Sequence, residues 1–158
     1  MVDKNQAVID YLLTCPSISG NPVFFNAIQA KDLTKEIVTV ANDRTIHTPF
    51  IDGSVEKRYT FTIIDFRSIT YNPLVTVPGY TNENVEDMLD VQGVIDWIEE
   101  QNDNRNFPLF GESCVIDSIH TATDNPNLDG VDTSLTPALA KYSIAVQIDY
   151  LDNSKAIY

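Results

Sequence analysis

The chain is poor in positive charge. Ten Lys and Arg stand against 23 Asp and Glu in 158 residues, a formal net charge of −13. Binding to a phosphate backbone draws on counterion release from a Lys/Arg surface, and docking on anionic lipid needs a basic patch. The shortage disfavours both as a main function, and its sign suits a soluble surface that does not stick to DNA. Histidine is limited to His47 and His120, and cysteine to Cys15 and Cys114. Neither cysteine stands in a C-x-x-C or Cys/His spacing, so two free, buried thiols of a protein made in a reducing cytoplasm are expected. No run approaches the ~18 consecutive apolar residues of a membrane span. The first residues, Met1-Val2-Asp3-Lys4-Asn5-Gln6, are polar and acid-containing rather than a basic-then-apolar leader. No G-x-S-x-G, H-E-x-x-H or P-loop occurs, and internal repeats and low-complexity tracts are absent.

What is present is a globular composition, 43% hydrophobic and 21% charged, over a length that suits one domain spanning 1–158. A chain of this size can bury roughly 68–70% of its unfolded surface. The clearest element lies near the end. In Lys141-Tyr142-Ser143-Ile144-Ala145-Val146-Gln147-Ile148-Asp149-Tyr150, β-branched and aromatic residues alternate with small and polar ones. That is a half-buried strand of about 30 Å, expected inside the sheet, with the rest of the fold arranged against it. Residues 56–67 form a second strand, Tyr59, Phe61 and Ile63 on one face, Thr60, Thr62, Ile64 and Phe66 on the other. The second face grows apolar toward its end, which predicts cover on both faces there. Residues 114–122 form a third, 36–41 a fourth, and 23–28 either a short strand or a turn of helix.

Two helices are expected. Asp3 caps the first, whose stripe is Ala7, Val8, Tyr11 and Leu12 and which Cys15-Pro16 ends. Asn84 caps the second, with Asp87 at its third position; Met88, Val91, Val94, Ile95 and Ile98 make the stripe, Trp97 flanks it, and Glu99, Glu100, Gln101 and Asn102 cover its outer face. Gly93 inside this helix costs about 1 kcal/mol against Ala and points to close packing on the sheet. Phe50-Ile51-Asp52-Gly53-Ser54 reads as a turn; residues 70–81 and 123–137 read as loops, the second a hairpin connection. The whole predicts an α+β fold, a single antiparallel or mixed sheet with two helices packed on one face.

Residues that could carry chemistry are few. Asn125-Pro126-Asn127-Leu128-Asp129-Gly130 has the alternating oxygens and sixth-position glycine of a calcium loop, with Asp124 and Asp132 nearby, but Thr136 stands where a bidentate Glu belongs. A plain hairpin tip is the better reading, and no metal or cofactor is expected. His120 reads as a structural histidine, since a nucleophile and base need a third orienting group. Glu99-Glu100 and Asp87-Asp90 read as solvated helix acids rather than a glycosidase pair. Glu56-Lys57-Arg58 reads as an edge that repels wrong pairing, or else as an inter-subunit salt bridge. No catalytic residue is assigned.

Several pieces, in order, resemble the tail-terminator (tail-completion, or minor capsid) proteins of long-tailed bacteriophages of Gram-positive hosts. They are the helix ending at Cys15-Pro16; Phe24-Phe25-Asn26; Phe50-Ile51-Asp52-Gly53-Ser54 leading into Lys57-Arg58-Tyr59-Thr60-Phe61; Val94-Ile95-Asp96-Trp97-Ile98-Glu99-Glu100-Gln101-Asn102 with Asn106-Phe107-Pro108; and residues 140–150. Residues 70–81 and 123–137 match less well. The resemblance implies a structural virion protein, not an enzyme, assembled in the host cytoplasm. It would form a ring, typically a homohexamer, at the head-proximal end of the tail, touching the tail tube protein and the head–tail connector while the genome passes through its lumen without specific binding. The candidate inter-subunit or lumen surface is Glu56, Lys57, Arg58, Asp124, Asp129, Asp132, Ser143, Ala145, Gln147 and Asp149, with acids on the channel repelling DNA. Head-completion or neck ring proteins are the alternative of the same kind; a small acidic hydrolase and a calcium-binding module are alternatives of other kinds.

Overall fold

A computed structural model describes residues 3–19, 23–26, 35–38, 44–45, 49–68, 83–134 and 138–155. In chain order the elements are α1 (Lys4–Leu12), β1 (Val23–Phe25), β2 (Lys35–Val38), β3 (Arg44–Thr45), β4 (Val55–Ser68), α2 (Glu83–Asp103), β5 (Cys114–Thr121), β6 (Asn127–Asp132) and β7 (Leu139–Asp152). The two 14-residue strands pair antiparallel along their whole length, from Val55 opposite Asp152 to Ser68 opposite Leu139. β2 and β3 pair β4 on its other side, and β1 adds to β2 in parallel. β5 and β6 follow each other along the far side of β7. The sheet is therefore mixed, in the order β1-β2-β4-β7-β5, and the C-terminal strand is interior as expected.

Period-two alternation decides what each face carries. Tyr59, Phe61 and Ile63 of β4 lie opposite Ile148, Val146 and Ile144 of β7, and all six are buried. Val8, Tyr11 and Leu12 of α1 and Val91, Val94, Ile95 and Ile98 of α2 join them in one core. Each such side chain contributes about 1.5–3 kcal/mol when removed from water. Both helices thus cover one face. Asp3 caps α1 as expected, its carboxylate accepting from the amides of Asn5 and Gln6. The Tyr59 hydroxyl donates to Asn5 Oδ1, tying α1 to the sheet, and the Tyr11 and Trp97 rings meet at 5.1 Å, tying α1 to α2.

Several expectations are corrected. α2 already includes Glu83, so Asn84 sits within the helix rather than at its cap. Met88 is exposed and lies off the buried stripe. A Cβ on Gly93 would come within 3.0 Å of Ser17 Oγ, so the close approach is to the turn after α1, not to the sheet. Residues 127–132 are a strand: β6 continues the line of β5 along β7, and the loop shrinks accordingly. Neither cysteine is in a disulfide, and Cys15 is buried as expected, but Cys114 is only half-buried. Residues 23–25 resolve as strand; 46–48 and 70–81 lie outside the described residues.

One end of the sheet is ionic inside. Lys35, Asp65 and Arg67 are 1–3% exposed on the helix side. Arg67 donates to Asp65 through Nε (2.7 Å) and Nη2 (3.2 Å), and to Asp90 on α2 at 2.6 Å. Burial alone would lower the Arg67 guanidinium, but Asp65 and Asp90 outweigh it and hold it above its ordinary value. Lys35 Nζ stands 3.3 Å from Asp65 Oδ2. Asp65 is thus the shared counter-charge of two buried cations. Replacing it, Asp65→Ala, strands both and should cost about 3–5 kcal/mol of folding stability. Urea denaturation of the two proteins measures this; a loss under about 1 kcal/mol would contradict the shared role.

Candidate interaction face

Opposite the helices, the middle of the sheet carries no layer of secondary structure among the described residues. β4 contributes Glu56, Arg58, Thr60 and Thr62 to this face, and β7 contributes Asp149, Gln147, Ala145 and Ser143. Ala145 is exposed, and Ser143, Gln147 and Asp149 are half-buried. The sequence-predicted residues of the last strand therefore do share one face. Across it, Thr60 pairs with Gln147 and Thr62 with Ala145. With Val38 and Ala122 they line a shallow depression of about 120 Å³. Short hydroxyls, methyls and one amide give a flat surface with little side-chain entropy to lose on contact.

Its one described cation on β4 is neutralised. Arg58 donates to both carboxylate oxygens of Asp149, at 2.7 and 3.1 Å, and this hydrogen bonding raises the guanidinium above its ordinary value. Lys57 points to the helix side of the sheet and pairs with Asp152 at 2.9 Å. Glu56, Lys57 and Arg58 therefore do not act as one cluster. The edge reading also fails, because β4 lies between β2/β3 and β7. Toward Ser68 the face changes: Phe66 and Leu139 are buried, which agrees with the cover expected there.

The three loop aspartates are exposed but separate. The carbonyl of Asp124 accepts from Gln92 Nε2 at 2.8 Å. Asp129 sits at a bulge in β6. Asp132 accepts from the Ser134 amide and hydroxyl, which lower its carboxyl. Because residues 127–130 are extended, alternate oxygens such as those of Asn127 and Asp129 are strung out about 6–7 Å apart along the strand and do not wrap round one ion as a calcium loop requires. Among the described residues no group of three metal-ligating side chains forms. No helix among them is long and apolar enough to cross a membrane.

Two features were not read from the sequence. Glu99 and Asn102 are not simply solvated: Asn102 Oδ1 accepts from the Ile119 amide at 3.0 Å, and Glu99 Oε1 from the Thr121 amide at 3.1 Å. They occupy two amides on the outer edge of β5, and His120 Nδ1 approaches the other Glu99 oxygen at 3.3 Å. A strand following a helix with acceptors three residues apart is the only signal, and it is a weak one. His47 lies outside the described residues. The second feature is the turn at Phe50 and Ile51, recognised as a turn but not as an exposed apolar tip. In comparisons with known proteins, no family model and no curated protein matches the chain.

The pairing of Lys57 with Asp152 sets an acid limit on stability. Burial would raise the Asp152 carboxyl, but hydrogen bonds from Ser154 and the bond and charge of Lys57 outweigh it and lower it to about 2. A depressed carboxyl contributes stability above its unfolded value, near 3.8, and loses it as pH falls toward 2. The contribution is about 2 kcal/mol at neutral pH. Asp152→Asn should therefore be less stable at pH 7 by about that amount and should flatten the fall in stability between pH ~4 and ~2. Urea midpoints across that window check it; parallel pH profiles for the two proteins would contradict it.

Proposed function

We propose that the chain is a structural ring subunit of a long-tailed bacteriophage, seated on the head-proximal end of the tail tube. In this role it stops tube growth and offers a docking face to the head–tail connector. The observation that carries the reading is the two-faced β4–β7 sheet. One face is sealed by helices; the other is small and polar, with Arg58 neutralised within the chain by Asp149. Such a face can border a neighbour or a channel with little grip on phosphate, because the cation nearest its middle, Arg58, is held by Asp149 and Lys141 stands only toward its far end. Acid charge near the channel repels DNA only within about 8 Å at physiological salt. The sequence resemblance supports the same reading, and the role requires no catalytic residue.

Negative-stain microscopy of the purified protein, alone and mixed with tail tubes, tests it: rings, or rings capping tube ends, are the expected result. Ala145→Arg places a long cation on the exposed middle of the face. It should leave the circular dichroism and thermal midpoint of the subunit close to wild type while reducing ring formation. Unchanged rings would remove the face from the assembly contact. Tubes that remain uncapped and lengthen with wild-type protein present would overturn the function.

A further inference from the structure

Along β7 the outer edge of the sheet is built in two ways. On β5 the amides of Ile119 and Thr121 are taken by Asn102 Oδ1 and Glu99 Oε1. β6 pairs the same strand farther along and carries no such side-chain acceptor among the described residues. All six residues of β6 are exposed. At the other end of the sheet β1 is three residues long and half-buried. An outer strand of the β6 kind presents unpaired N–H and C=O groups, on which an extended backbone can add as a further strand.

The side chains of β6 select what adds. Leu128 and Val131 stand opposite Tyr142 and Ala140, on the helix side, and are 54% and 38% exposed. Asp132 stands opposite Leu139, on the reverse side, and Asp129 is the extra residue of the bulge between Leu128 and Gly130. Residues 106–140 hold Glu112, Asp117, Asp124, Asp129 and Asp132 and no Lys or Arg. Across the ladder Gly130 meets Lys141, whose charge acts on the buried Glu36 carboxyl. The acids at this edge turn away a second copy, which would bring the same acids against them. They attract a strand of opposite sign.

We infer that the outer edge of β6 receives, as an added strand, an extended segment of a different protein in which Lys or Arg alternates with apolar residues. Backbone hydrogen bonds hold the segment. Its apolar residues lie beside Leu128 and Val131, and its cations near Asp129 and Asp132. The contact uses an edge rather than the β4–β7 face, so it stands whether or not copies form a ring.

The test is a titration of the full-length, isotope-labelled protein with an alternating lysine–valine hexapeptide, read by amide NMR. Resonance shifts should centre on residues 127–132, and exchange of their outward amides should slow at least about tenfold. Binding should weaken at least about tenfold between about 50 and about 500 mM salt. Asp129→Lys, at an exposed position, should weaken it at least about fivefold. Peptides N-methylated on the lysine amides or on the valine amides separate strand addition from simple charge attraction, because alternate amides face the edge: one form should bind and the other fail. Equal behaviour of the two forms overturns the added strand. A glutamate–valine hexapeptide that binds as tightly overturns the charge selection. No shift at about 1 mM peptide, or shifts that leave residues 127–132 unmoved, overturns the site. Shifts of 127–132 that grow with protein concentration in the absence of peptide assign the edge to a second copy and overturn the proposal.

Discussion

The fold depends on the register of one long-range ladder, β4 against β7. Residues 55–68 must find residues 139–152, and every other described strand then hangs on one of these two, β1 through β2. Because side chains alternate with period two, a slip of one residue would turn Tyr59, Phe61 and Ile63 out of the core. Two cross-strand ion pairs guard against that slip, one on each face: Arg58 with Asp149 on the uncovered side and Lys57 with Asp152 on the helix side. Moving either strand by one position separates both pairs and exposes the core together. The more exposed pair, Arg58 with Asp149, adds little energy, about 0–1 kcal/mol, but both pairs tell the native register from its neighbours.

The two ends of that ladder are built differently. Near Tyr59 and Tyr150 the helix side is aromatic, with Phe110 packed edge-on against both rings at 5.7 and 5.3 Å. Near Asp65 it is ionic, and the buried charges bind β2, β4 and α2 to one another. Aromatic contact is tolerant of small rotations, whereas a fork of hydrogen bonds from one guanidinium is not. α2 is therefore located at its first turns by charge and along its length by apolar packing. On the reverse of the same end Glu36 is buried at 4% exposure, and burial pushes its carboxyl up.

Most of the architecture was legible because it rests on alternation. Tyr142 to Tyr150 and Tyr59 to Ile63 read as strands since packing and sequence pattern agree there, and Asp3 read as a cap since its chemistry is local. β6 was missed because Asn127-Leu128-Asp129-Gly130-Val131-Asp132 has the composition of a turn and is held only by pairing with β7. The start of α2 was misplaced because a good capping residue, Asn84, lies just inside it. The partners of Glu56-Lys57-Arg58 were not readable at all, since Asp149 and Asp152 are about ninety positions away. Of the candidate surface, Ser143, Ala145, Gln147 and Asp149 were legible as a face; what neutralises that face, and the apolar tip at Ile51, required the tertiary pairing.

The capping of β5 by α2 gives the sheet a polarity of growth. An uncovered outer strand is a template on which another backbone can lie down. Here the amides of Ile119 and Thr121 are already occupied by the side chains of Asn102 and Glu99, which play the part of a missing neighbour strand. The C-terminal half of β5 is thereby closed to pairing. A helix that serves as a sham strand denies that stretch of backbone to any other chain, because the two amides are already answered by acceptors from within.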